Sequence, residues 1–366
     1  MRIVITGATG NIGTALLRRL LADGDHELVG LARRPPVRGT RAEESTADRV
    51  RWTSVDLTRD DCRPALDRAL ADADAVVHLA WGFQPSHDQR YLEELGIGGT
   101  RRVLEAAVAQ RVPHLVHMSS VGAYSPKSDD QPVDETYPTD GVRSSVYSRH
   151  KAAVERLLDA HESQRSGVRE GLLPHVTRLR PGLVGQRAAG SALLRYGVPG
   201  FLPGRAITLL PLLPIDRRMA VPMVHADDVA DAVVRVITRS AYGPFNLAAP
   251  SPITPAHIAA ALHAHYVHVP ARVLRGAVTG SWLARLQPLD PGWLDLAMNV
   301  PLMDTTRARD ALGWTPSHSA DSVLHETVAA LRDSAAAQTP ALRPRTVAGQ
   351  LRDLIRHGPI TSRPQP

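Results

Sequence analysis

Lysine is nearly missing from this chain of 366 residues: Lys127 and Lys151 are the two, and the other 41 of 43 basic residues are arginine. Cysteine is scarcer still, and the single Cys62 excludes an internal disulfide framework and any multi-cysteine metal site. Aromatic residues make up 4% of the chain, too few for the stacking surface used on single-stranded nucleic acid. No long hydrophobic run is present. The longest, Leu209 to Ile215, is interrupted by Pro211 and Pro214 and falls far below the ~20 residues of a spanning helix, so no membrane partner is expected. MRIVITGATG runs directly into a strand pattern and a glycine turn without a signal-peptide core, which makes a cytoplasmic protein the expectation. The 16 histidines include no i, i+4 pair with an acid between them, so no metal site is expected either.

What is present is enough apolar material for a sizeable core, 43% hydrophobic against 22% charged. The net charge is +6, but residues 338–366 carry five arginines and one acid, Asp353, which leaves +2 on residues 1–337. The basic character thus belongs mostly to the last stretch, and no nucleic-acid partner is expected. That stretch, with five prolines, reads as a disordered basic tail with a short helix around Val347–Arg356.

The first half alternates short apolar runs with helical stripes. RIVIT (2–6), ELVGLA (27–32), 51–55, AVVHLA (75–80), HLVHMS (114–119) and 176–179 read as strands, and Gly243–Leu247 as a last one. Asn11–Leu21, Tyr91–Gln110, Tyr147–His161 and Ala226–Thr238 read as helices, the second interrupted by Gly96-Ile97-Gly98-Gly99. Strands separated by helices of this length form βαβ units. The fold class is therefore α/β, a Rossmann-type doubly wound parallel sheet with a smaller, mostly helical substrate-binding C-terminal part. Residues 1–184 plus about 221–250 are expected to form the dinucleotide-binding domain. Residues 185–220, rich in proline, plus 251–337, read as helices, form the substrate-binding part.

Two constellations carry chemistry. After the first strand, Gly7 permits a tight turn, Gly10 lets backbone approach a pyrophosphate and Gly13 lets helix and strand pack closely, with the helix N-terminus facing the phosphates. The second strand ends in Arg33-Arg34 with no acid. An acid there bonds a ribose 2′-hydroxyl and an arginine accommodates a 2′-phosphate, so NADP(H) is favoured and NAD stays possible. In Tyr147-Ser148-Arg149-His150-Lys151 a phenol and an ammonium share one helix face. The ammonium is expected to lower the phenol pKa toward proton exchange near neutrality. In a chain this poor in lysine, Lys151 reads as a functional choice. The strand HLVHMS ends at Ser119-Ser120, at the sheet edge where ligands bind.

The chain resembles the extended short-chain dehydrogenase/reductase superfamily, the NAD-dependent epimerase/dehydratase proteins, over about residues 1–335. The resemblance rests on TGATGNIG (6–13), Asp56-Leu57, His78-Leu79-Ala80, Ser119-Ser120, YSRHK (147–151), RPGLVG (180–185), HADDVADAV (225–233), FNLAAP (245–250) and LGWTP (312–316). It implies that Gly7, Gly10, Asn11, Ile12 and Gly13 line the pyrophosphate, Asp56 and Leu57 flank the adenine, and Ala80 lies along the cofactor. It further implies Tyr147 as proton donor or acceptor, Lys151 on the nicotinamide ribose, Ser120 as the catalytic serine and Pro181 near the nicotinamide. A homodimer is expected on the same ground. The chain departs from the family at Gly96, where an asparagine is usual, and at Val121, where dehydratases and decarboxylases carry an acid.

Hydride transfer between NADP(H) and a ketone, aldehyde or alcohol is thus the leading expectation. Trp81 and Phe83 are candidates to line the pocket. Nucleotide-sugar epimerisation through a transient keto intermediate is the alternative, and a redox sensor that binds dinucleotide without turnover ranks last because the Tyr–Lys pair is kept.

Overall fold

Consecutive rather than alternating apolar residues need cover on both faces of a sheet. Arg2–Thr6 (β1), Glu27–Ala32 (β2), Arg51–Ser54 (β3), Ala75–His78 (β4), His114–Met118 (β5) and His175–Pro181 (β6) form strands, and β1, β2, β4, β5 and β6 are buried over nearly their whole length. Three short strands follow, β7 (Leu183–Gly185), β8 (Leu212–Ile215) and β9 (Met223–His225), then β10 (Gly243–Leu247) and β11 (His265–His268). The main sheet has seven strands in the order β10-β6-β5-β4-β1-β2-β3, all neighbours parallel. The computed structural model describes residues 1–344 apart from 25, 37–47, 83–87, 166, 168, 170, 198–203, 210, 285 and 288. Phe83 and the helix expected around Val347–Arg356 lie outside the described residues.

Side chains alternate across a strand. From β1, Ile3 and Ile5 enter one core with Leu16 and Leu20 of α1 (Asn11–Asp23), whereas Val4 enters the other with Leu66 and Leu70 of α2 (Arg63–Leu70). The second core also takes Val103 from α4 (Gly99–Ala109), which follows the short α3 (Gln89–Glu93), and Leu158 from α5 (Val146–Arg165). Between α3 and α4 the glycine-rich stretch Glu94–Gly98 is a π-helical turn, so the interruption expected there is a widening of the helix.

After α6 (Gly190–Gly197), α7 (Ala226–Thr238) covers the face shared with α1, and its Val229 and Val233 are fully buried. Each such valine or leucine contributes about 1.5–3 kcal/mol relative to exposure. Arg18–Asp227 and Arg19–Asp231 ion pairs fasten the rims of these two helices.

The C-terminal part adds α8 (Pro255–Leu262), α9 (Ala271–Leu283), α10 (Pro291–Asn299), α11 (Thr306–Leu312) and α12 (Ala320–Asp333). It is mostly helical, as expected, with one strand where the sequence pattern read as helix: β11 pairs in parallel with β8. All four residues of β11 are exposed, so a distant partner rather than local pattern sets this strand. Trp314 of the LGWTP motif is buried and donates from Nε1 to the Asp228 carbonyl at 2.8 Å, tying this part to α7.

Candidate active site

Strand order reverses at β1, between β4 and β2, and that reversal opens a crevice at the carboxyl ends of the strands. Gly7, at φ +69°, starts the loop there. A Cβ on Gly7 would meet the Ala80 backbone nitrogen at 2.7 Å, and one on Gly13 would meet the Gly7 carbonyl at 2.5 Å. Both glycines are therefore required by close approach. Gly10 caps α1 without a side-chain hydrogen bond and no acid stands in the first turn, so the amides of Asn11, Ile12 and Gly13 present an uncompensated positive end.

Gly7 and Gly10 line a groove with Thr6, Thr9, Arg33, Arg34, Asp56, Leu57, Ala80, Trp81 and Tyr91. These features fit an extended dinucleotide: a glycine cradle, a helix N-terminus for phosphate and a slot at the end of β2. The Asn11 side chain turns away, donating to the Val184 carbonyl at 3.1 Å and accepting from Gln186 Nε2 at 2.7 Å. Its backbone, not its amide group, is what the groove can use. Arg33 donates to the Tyr91 hydroxyl at 3.0 Å. Asp56 holds its own turn, accepting from Thr58 N at 3.0 Å and Thr58 Oγ1 at 2.7 Å. Pro181 closes β6 in register with Leu247.

The other constellation sits where β5 meets α5. The Ser120 hydroxyl is hydrogen-bonded with Tyr147 and also accepts from the Gly122 amide at 3.0 Å. Ser119, its neighbour, points elsewhere and donates to Glu155 at 2.5 Å. The helical i, i+4 spacing brings Lys151 beneath Tyr147, with the ammonium 5.9 Å from the phenol ring centre. Lys151 Nζ donates to the Met118 carbonyl at 2.8 Å and lies 3.4 Å from the centre of the Trp81 ring. Burial drives this ammonium well below the ordinary lysine range.

The phenol differs from the sequence expectation. Burial pushes Tyr147 up to about 12, with Ser120 opposing, because the Lys151 charge is spent on Met118 and the indole rather than on the phenolic oxygen. The cation–π contact at 3.4 Å is the shorter one.

Trp81 joins groove and pair. It lines the groove, meets Tyr147 edge-on at 6.2 Å and abuts Gly96, where a Cβ would lie 3.1 Å from the indole. The departure at Gly96 thus makes room for Trp81. A second indole, Trp293 from α10, faces Tyr147 at 5.3 Å between ring centres. Sequence reading missed Trp293, which stands 146 positions from Tyr147 in no recognisable motif.

A model of the NAD-dependent epimerase/dehydratase family matches residues 3–248. The chain belongs to that family. The name of the family is that of NAD-dependent epimerases and dehydratases.

A dTDP-6-deoxy-L-talose 4-dehydrogenase (NAD(P)(+)) of Kitasatospora kifunensis is 30% identical over 339 residues, covering 89% of this chain and 94% of that protein. A UDP-glucose 4-epimerase of Mycolicibacterium smegmatis is 28% identical, covering 91% and 99%. An uncharacterised protein of Mycobacterium tuberculosis is 28% identical over 334 residues, but the chain spans 30% of that protein's length. In fold, the chain is similar to UDP-glucose-4-epimerase from Stenotrophomonas maltophila, with a TM-score of 0.66 at 21% identity over 91% of this chain and 98% of that one. No helix of the described residues is long and apolar enough to cross a membrane.

Proposed function

We propose that this family member is an oxidoreductase that prefers NADP(H) and moves a hydride between it and a ketone, aldehyde or alcohol. The observation that carries the reading is the pairing of Tyr147 with Ser120 above a buried Lys151, between the indoles of Trp81 and Trp293. The nicotinamide, when bound, supplies or accepts the hydride. Ser120 and the Tyr147 hydroxyl hold the substrate oxygen, and Tyr147 gives it a proton on reduction or takes one on oxidation. Lys151, whose ammonium stands 5.9 Å from the phenol ring centre, would hold the nicotinamide ribose. Val121, in a buried 3₁₀ turn after Ser120, offers no acid for elimination, which disfavours dehydration.

Gly7, Gly10 and the amides of Asn11, Ile12 and Gly13 would seat the pyrophosphate, with Asp56 and Leu57 beside the adenine and Ala80 and Pro181 along the nicotinamide half. Arg33 and Arg34, both in the groove, support NADP(H). The test is titration with NADPH and NADH followed by turnover on carbonyl compounds; tighter binding of NADH would overturn the preference. Epimerisation of a nucleotide sugar is the second reading, favoured by the likeness to the UDP-glucose 4-epimerase of Mycolicibacterium smegmatis. Turnover of UDP-hexoses without net consumption of cofactor would decide for it.

A further inference from the structure

The carboxyl end of β4 carries a histidine that the chemistry above does not use. His78 is 1% exposed, and both of its ring nitrogens are engaged. Nδ1 lies 2.7 Å from Thr6 Oγ1 on β1, and Nε2 lies 3.0 Å from Thr100 Oγ1 on α4. The threonines fix the tautomer. Thr100 gives its one hydroxyl proton to the Gly96 carbonyl at 2.6 Å, so toward the imidazole it can only accept, and Nε2 carries the hydrogen. Nδ1 is then the acceptor and takes the proton of Thr6, whose oxygen accepts in turn from the Ala80 amide at 3.3 Å. The result is one chain of a single polarity, from the Ala80 amide through Thr6, His78 and Thr100 to the Gly96 carbonyl. It needs a neutral imidazole, and burial holds His78 at about 3.

The two ends of the chain give it a role. Ala80 lines the dinucleotide groove, and its backbone is what stands against Gly7. Gly96 lies in the π-helical turn, where the Thr100 hydroxyl bonds back to the carbonyl four residues earlier, a bond that distorts a helix locally. Trp81 spans these ends. It follows Ala80 in the chain, and a Cβ on Gly96 would meet only indole atoms, at 3.1 to 3.4 Å. His117, the register partner of His78 on β5, meets the same indole edge-on at 6.4 Å. The indole so held carries the Lys151 ammonium 3.4 Å from its centre.

We propose that His78 and Thr100 are positioning residues for Lys151: their hydrogen-bond chain sets the place of the Trp81 indole, and the indole sets the place of the ammonium. Valine at position 100 keeps the shape of threonine but leaves the His78 Nε2 hydrogen and the Gly96 carbonyl without their partner, both of them buried. The turn and the imidazole must then find other bonds, and the indole between them moves. The bearing of this on turnover rests on the Tyr147–Lys151 reading above. The place of the ammonium is measurable without turnover.

The scarcity of lysine makes that measurement direct. Fed with ¹³C-lysine, the full chain gives two ε-methylene signals, from Lys127 and Lys151. An ammonium over an indole face puts its methylene in the shielding region of the ring, so the Lys151 signal is expected upfield of the ordinary lysine position. Trp81→Leu is expected to abolish that shift and so assign it. Thr100→Val is expected to lose most of the shift and to lower kcat about ten-fold, and Thr100→Ser, which puts the hydroxyl back, to restore both. If Thr100→Val does not fold, Thr6→Val, which cuts the other half of the chain, is read by the same signal. An unmoved Lys151 signal in the valine variant overturns the positioning role, whatever the rate. A displaced signal with full kcat keeps the positioning role and overturns the Tyr147–Lys151 reading instead.

Discussion

Lys151 and Glu155 stand one turn apart on α5, both enclosed, and the protein treats their charges in opposite ways. Glu155 accepts from Ser119 at 2.5 Å, from Arg180 at 2.8 and 3.0 Å and from Arg178 at 3.0 Å. Those partners overcome its burial and hold its carboxyl at about 2. Arg180 extends the network through the Tyr124 hydroxyl to Asn246 on β10. Lys151 has a carbonyl and an indole face, and among the described residues no carboxylate pairs with it. A buried charge with every bond made is architecture. A buried charge left with donors to spare is one a ligand can complete.

The sharpest break between the two regions is catalytic. Tyr147→Phe is expected to lower kcat by about 10²–10⁴-fold, the usual worth of a positioned proton donor, with the denaturation midpoint unchanged. Full activity in that variant would remove the whole Tyr–Lys reading. Glu155→Leu should do the reverse in kind, costing about 3–5 kcal/mol of stability by leaving two buried arginines without their shared carboxylate. Urea denaturation measures it, and a loss under about 1 kcal/mol would show the network to be dispensable.

Acid should strike the architecture from two sides. Burial holds His78 at about 3 and His114 at about 4, against an ordinary 6.5, so both are neutral in the fold. Below pH 6.5 the unfolded chain therefore binds more protons, and stability falls with pH by about 1.4 kcal/mol per unit for each histidine. Glu155, depressed from 4.5 to about 2, adds a further loss as pH drops between those values. Denaturant midpoints from pH 7.5 down to pH 4 test this; a flat profile would contradict the buried neutral state. The smallest effect concerns the indole beneath Lys151. Trp81→Leu is expected to lower kcat/KM about ten-fold and shift the acidic limb of its pH profile, while Trp81→Phe, which keeps a π face, stays within about three-fold.

Much of this was readable in the chain itself. The parallel strands were legible because buried parallel strands are continuous apolar runs, and β1 through α1 because the glycine spacing leaves few alternatives. Successive residues of a strand point to opposite sides, which is why Ser119 goes to Glu155 while Ser120, the serine expected to be catalytic, faces Tyr147. The phenol pKa was misjudged because i, i+4 spacing fixes which residues share a face, not which atom an ammonium bonds. Strand β11 was missed because its partner residues on β8 lie 53 positions upstream and all four of its own residues are exposed. Residues 338–344 were assigned to a disordered tail on composition, yet Thr339 and Leu342 are packed.

The sequence by itself determined everything set by short-range geometry: the βαβ order, the glycine turn ahead of a helix N-terminus, and a tyrosine and a lysine on one helical face. Those follow from periods of 2 and 3.6 residues and from the one side chain that a tight turn cannot hold. Only the tertiary structure decided what stands against them. Trp293 against Tyr147, Trp81 against Gly96, and Thr339 against Thr9 are meetings of residues whose local pattern says nothing of their partner. Such contacts form when cores pack and distant surfaces are brought together, a choice made by shape and burial over the whole chain.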